Sequence, residues 1–153
     1  MEAEFVLLGR RLLKAYARRD FIKVSQMATD YLAAAERYRD HTNYGNAIHQ
    51  ANTLLGLMEL EQDHIDRAAE YLLNSARTPG SRQLKAFGPS MLLAQQLLER
   101  NQRRTVLRYL DECRSLWMLS FGSLWKWRRQ ILQGRTPNFG ANLSYLTDYK
   151  SFG

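Results

Sequence analysis

Apolar residues recur at intervals of three and four along nearly the whole chain and almost never alternate, so the pattern predicts helices and no β-strand. Phe5, Leu8, Leu12 and Tyr16 form the stripe of a first helix over residues 3–18. Asp20 stands where an N-cap would open a second, whose inward face is Phe21, Val24, Ala28, Tyr31, Leu32 and Ala35. The polar turn Asp40-His41-Thr42-Asn43 leads to a third helix, with Ala47 or Ile48, Ala51, Leu55 and Met58 on its stripe. Asp63 ends that helix and begins a fourth, which buries Ile65, Ala68, Ala69, Leu72 and Ala76 and stops before the breaker Thr78-Pro79-Gly80-Ser81. Pro89 opens a fifth through Leu92, Leu93 and Leu97. A sixth carries Val106, Leu110, Cys113 and Trp117, and a seventh carries Leu124, Trp127 or Arg128, and Ile131 before Gly134. The residues beyond read as an irregular tail.

Short connections make successive helices antiparallel, so the expected fold is all-α: stacked antiparallel helical hairpins, about seven helices and a tail. The hairpins also repeat. At an offset of 38, Leu54-Leu55-Gly56 falls on Leu92-Leu93-Ala94, Leu60 on Leu98, Tyr71 on Tyr109, Leu72 on Leu110 and Ser75 on Cys113. The segment His49 to Gly80 resembles a tetratricopeptide repeat through Leu55-Gly56, Ala68, Leu72, Ser75 and Pro79, with Asn52 and Glu59 standing where that pattern has tryptophan and tyrosine. The resemblance implies one tetratricopeptide-like domain over residues 1–153: a capping pair at 3–38, repeat-like pairs at 43–80 and 87–117, a closing helix at 122–133 and a tail at 134–153. It also implies a binding module rather than an enzyme, with a concave groove lined by the first helix of each pair. Thr78-Pro79-Gly80-Ser81, Phe87-Gly88-Pro89 and Pro137-Asn138-Phe139-Gly140-Ala141-Asn142-Leu143 are similar to segments of bacterial tetratricopeptide-like proteins.

Charge changes the picture. Residues 1–76 hold nine Lys or Arg against eleven Asp or Glu, whereas residues 77–153 hold thirteen against four, so the net +7 belongs to the second half. That asymmetry points either to an anionic partner or to a solubilising arginine-rich face. The composition, 45% apolar and 24% charged, is that of a globular protein. The single cysteine, Cys113, is expected to be a small buried hydrophobe without a disulfide. Met1-Glu2-Ala3-Glu4 is acidic where a signal peptide needs cations, and no apolar run approaches the ~18 residues of a membrane span, so the expectation is cytoplasmic with no membrane partner.

Three histidines, His41, His49 and His64, have no metal-ligand spacing, and neither a phosphate loop nor a nucleophile elbow is present; no metal, cofactor or catalytic residue is expected. Two constellations remain as binding surfaces. Asn46, His49, Gln50 and Thr53 share a strip of the third helix that could hydrogen-bond a protein or peptide partner, with Arg82 and Lys85 of the following linker supplying charge. The same polar residues could instead, through His49 and Asn52, satisfy backbone groups of the Pro79–Pro89 linker. Trp125-Lys126-Trp127-Arg128-Arg129, with Arg135 beyond, interleaves aromatics and cations as nucleic-acid platforms do, or else caps the stack with Lys126 and Arg129 on its solvated edge. A pocket between helices for a small molecule or an enzymatic role stays open as a further reading. Phe-Gly pairs at Phe87, Phe121 and Phe139 are expected to plug helix junctions, whereas the terminal Phe152-Gly153 reads as an insertion peptide for a partner's groove or as a frayed end. In the tail, Phe139, Leu143, Tyr145, Leu146 and Tyr149 are expected to dock around Trp117, Leu124 and Trp125.

Overall fold

The computed structural model describes residues 2–144, and among these the fold is all-α, with eight helices, a short 3-10 turn and no strand. The helices are α1 (Glu2–Ala17), α2 (Phe21–Arg37), α3 (Tyr44–Glu61), α4 (Ile65–Ala76), α5 (Arg82–Phe87), α6 (Leu92–Glu99), α7 (Arg103–Cys113) and α8 (Ser123–Leu132); the turn is Gly140–Leu143. Successive partners run antiparallel. In the first hairpin Tyr16 meets Phe21 at the turn while Phe5 stacks on Tyr38 at the open end, with ring centroids 5.0 Å apart in that stack. In the second, His49 faces Ser75 and Glu59 faces His64. α6 and α7 form the third, α8 packs on α7, and α4 joins the second hairpin to the third. One apolar core runs through the stack, from Phe5, Leu12 and Tyr31 through Leu54 and Leu72 to Leu93, Leu97 and Tyr109.

The three hairpin turns are built alike. Arg19, Asp63 and Asn101 take left-handed backbone (φ 58°, 59° and 62°), and the next N–H reaches back five residues: Asp20 to the Ala15 carbonyl at 3.1 Å, His64 to Glu59 and Gln102 to Leu97, both at 2.9 Å. These are Schellman closures, which satisfy otherwise orphaned carbonyls at a helix end. The second and third turns lie 38 residues apart, the offset seen in the side-chain pattern. Asp20 caps α2 as expected, its carboxylate accepting from the Lys23 N–H at 3.4 Å. Asp63 does not cap α4; His64 holds the N-cap position, and the Asp63 carboxylate pairs with Arg100 across the hairpins at 2.6 Å. The left-handed backbone of Asp63 turns it out of the capping position.

Gly56 sits at a close crossing. A Cβ there would lie 2.3 Å from Leu93 Cδ2 and 3.2 Å from Tyr71 Cβ, so the missing side chain lets α3 approach both its partner α4 and the next hairpin. The segment after Pro79 holds a short helix, α5, where the sequence pattern indicated only a linker. Ser81 caps it, accepting from the Leu84 N–H at 3.1 Å, and only Leu84 turns inward.

Candidate functional site

The polar strip of α3 is inside the protein. α3 is the central helix, buried on nearly every side, and His49, Gln50 and Thr53 are buried with it. Their polar atoms are consumed internally. The Ser90 N–H donates to His49 Nε2 at 2.9 Å, and His49 Nδ1 lies 2.9 Å from the Ser75 carbonyl, which fixes the neutral ring with its proton on Nδ1. Burial lowers the imidazole pKa to about 4, the Ser75 carbonyl opposing only in part. Gln50 donates to the Gly9 carbonyl at 2.9 Å, and Thr53 to the His49 carbonyl at 2.8 Å. Asn46 is half-buried and bonded to Asn43, Ser81 and Gln83. Asn46, His49 and Gln50 do converge, together with Tyr31 and Gln83, on a cavity of about 120 Å³. The expectation of an open groove on this strip is therefore corrected. α1, through Gly9 and Leu13, and α5, through Gln83 and Leu84, share the lining of that cavity, and the polar groups of the enclosed helix find their partners within the protein. His49 bonds backbone groups as the alternative reading has it, but at Ser75 and at Ser90, one residue past the Pro79–Pro89 linker, and Asn52 bonds the Ile48 carbonyl of its own helix at 2.8 Å. Arg82 and Lys85 stand exposed on α5, apart from the buried strip.

The start of the tail docks, but elsewhere than expected. Phe139 is buried edge-on against Trp127, centroids 5.0 Å apart, and Trp127 in turn meets Trp117 at 5.6 Å. The Asn142 amide nitrogen donates to the Phe87 and Pro89 carbonyls, both at 2.9 Å, and the Met91 N–H donates to the Asn142 carbonyl at 2.8 Å. One asparagine thus holds the α5–α6 junction. Tyr145, Leu146, Tyr149 and Phe152 lie outside the described residues. The described part of the tail, to Ser144, meets the Trp127 face of α8, and Trp125 on the opposite flank is 65% exposed.

On that flank the structure has a groove of about 740 Å³ between α7 and α8, lined by Leu110, Arg114, Trp117, Met118, Leu124 and Trp125 among others. Met118 is 70% exposed, Trp125 65% and, between the lining residues Ser120 and Gly122, Phe121 is 89% exposed. Phe121 also has left-handed backbone, φ 50°, a conformation a bulky side chain rarely adopts. Phe87, at the end of neighbouring α5, is exposed too; the Leu119 N–H donates to the Lys85 carbonyl and ties the two segments together. Of the described Phe-Gly pairs only Phe139 plugs a junction. Phe87 and Phe121 project outward, and at Gly88 the space beside the chain is filled by Trp117.

The basic cluster divides. Leu124, Trp127 and Ile131 are buried and seal the stack, in keeping with the capping alternative. Arg128 is paired with Asp111 at 2.9 Å, Arg129 lies over the Trp125 ring at 5.5 Å from its centroid, and Lys126 is exposed. Arg135 bonds Gln133 and borders a separate notch with Arg103, so it does not join the others. Cys113 is fully buried, and burial pushes its thiol far above the ordinary range. Among the described residues no group of three His, Cys, Asp or Glu side chains could hold a metal ion, and no helix is long and apolar enough to cross a membrane. Compared with known protein families, with functionally described proteins and with solved structures, the chain has no significant match.

Proposed function

We propose that the chain is a non-catalytic binding module of the tetratricopeptide-like kind, working in the cytoplasm, and that it holds a protein or peptide segment in the groove between α7 and α8. The observation that carries this reading is Phe121, an aromatic residue kept in a left-handed conformation and almost wholly exposed beside an apolar groove. Neither feature benefits the isolated fold: the conformation costs on the order of 1 kcal/mol, and the ring buries little. Met118 and Trp125 extend the same surface, and clustered exposed apolar side chains mark interaction sites where scattered ones do not.

A peptide suits the groove better than a nucleic acid. Its floor is Leu110, Trp117 and Leu124, a recess for branched or ring side chains, while Trp125 has one face taken by Arg129 and Arg128 is neutralised by Asp111. The test is comparative capture with the full chain. A partner retained by the wild type and by Ile22→Ser, at the far end of the molecule, should be lost from the triple variant Met118→Ser, Phe121→Gly, Trp125→Ser at unchanged melting temperature. Retention by the triple variant would sink the reading.

A further inference from the structure

Building on the groove reading above, we infer that the segment it takes is an acidic amphipathic helix, whose apolar stripe lies on Leu110, Met118 and Trp125 and whose carboxylates face Arg114 and Arg129. Shape comes first. α7 and α8 are antiparallel, Asp111 facing Arg128 near one end and Arg103 approaching Gly134 at the other, so the furrow between them has the form a third helix fills by ridges into grooves. The groove takes in residues 110–114 at the end of α7 and residues 124–128 of α8, so a docked helix would meet about one turn of each, with the 117–122 connection between them.

Charge then selects among helices. Among the described residues the only carboxylate lining the groove belongs to Asp111, and it is engaged by Arg128. Arg114 lines the groove and makes no ion pair among the described residues; Arg129, beside Trp125, makes none either. Two cations are thus left without counter-charges at the edge of an apolar recess, within a half-chain that carries thirteen basic against four acidic residues. A basic helix would bring like charges together there, and an acidic one would neutralise them. Phe121 and Met118, projecting from the connection before α8, would close over the helix as its apolar clasp.

The experiment uses the full chain and two tryptophan-free synthetic peptides of about 16 residues, long enough for four turns. Both carry Leu and Phe at three-and-four spacing; one has Glu at the remaining positions and its twin has Lys. Anisotropy of a label on the peptide gives affinity, and protein tryptophan emission gives location, since Trp125 is exposed while Trp117 and Trp127 are buried. The expected result is that the Glu peptide binds at least about tenfold more tightly than the Lys twin, that the gap narrows as salt rises, and that Arg114→Glu closes it. The wild-type emission should shift to the blue on binding, and Phe121→Gly should weaken the Glu peptide while its melting temperature is no lower. Equal binding of the twins, or tighter binding of the Lys peptide, would overturn the acidic partner yet leave the groove as a peptide site. If neither peptide binds but an oligothymidylate quenches the tryptophan emission, both the helix and the peptide reading are wrong. Concentration-dependent self-association that buries Trp125 would likewise overturn both, giving the groove to a second copy of the chain.

Discussion

α3 and the α7–α8 edge depart from the usual distribution of polarity in opposite directions. On α3, His49, Gln50, Asn52 and Thr53 are polar and buried; at the edge, Met118, Phe121 and Trp125 are apolar and exposed. The buried polar groups all have partners, and several join helices distant in sequence: Gln50 to Gly9, His49 to Ser75 and to Ser90. They hold the hairpins in register. Of the exposed apolar groups, Trp125 meets Arg129 of its own helix. Buried polarity therefore identifies the scaffold here, and misplaced hydrophobicity marks the surface proposed for a partner.

The sharpest way to break this comparison is at His49. His49→Ala would leave the Ser75 carbonyl and the Ser90 N–H unpaired in the core and open a void, with an expected loss of about 3 to 5 kcal/mol by denaturant unfolding. A near-neutral result would mean that the ring is not a structural bridge. Acid probes the same group in the unsubstituted protein. The folded pKa, about 4, lies below the ordinary 6.5, so below pH 6.5 the unfolded chain takes up a proton that the folded one refuses. The contribution of His49 is intact above pH 6.5 and is lost as pH falls toward 4, amounting to about 3 kcal/mol at ~1.4 kcal/mol per unit. His49→Gln, weaker at neutral pH, should show a flatter dependence across that window; an unchanged slope would remove His49 as its source.

A smaller effect tests the crossing on which both regions depend. Gly56→Ala should cost about 1 to 3 kcal/mol, because a Cβ would stand 2.3 Å from Leu93 Cδ2 and the fully buried Leu93 side chain would have to give way. Stability equal to the wild type would mean that the hairpins slide apart freely there.

How much of this was legible follows from which signals are periodic. The stripes through α1–α4 and α6–α8 are long enough to repeat, and they located those helices; the left-handed turns at Asp63 and Asn101 even preserve the offset of 38. α5 has six residues and a single inward side chain, Leu84, so no period can show; its one signal is Ser81 after the glycine, a cap within what looked like a breaker. The α3 strip stays open in the sequence between a groove and an internal role, because amphipathic reasoning assigns polar residues to solvent and that assignment fails for a helix buried on nearly every side. Asn142 reaches carbonyls more than fifty residues away, a contact that spacing does not encode. Phe121 was misread with Phe139, since Phe-Gly has the same local form whether the ring turns in or out.

Phe121 gives the smallest effect on stability and the most direct sharpening of the contrast. Its φ of 50° is disfavoured for any residue with a Cβ, by about 1 to 2 kcal/mol, and at 89% exposure its ring recovers little of that by burial. Glycine adopts the conformation freely but gains more entropy in the unfolded chain, which offsets about 0.5 to 1 kcal/mol of the relief. Phe121→Gly should therefore leave stability unchanged or raise it by up to about 1 kcal/mol, measured as a shift in denaturant midpoint at constant slope. Phe139→Ala, the same residue type in the same Phe-Gly setting but turned inward against Trp127, should lose about 3 to 5 kcal/mol. A substantial loss at Phe121 would show that its ring contributes to the fold after all, and the argument that it is held out for a partner would then fail.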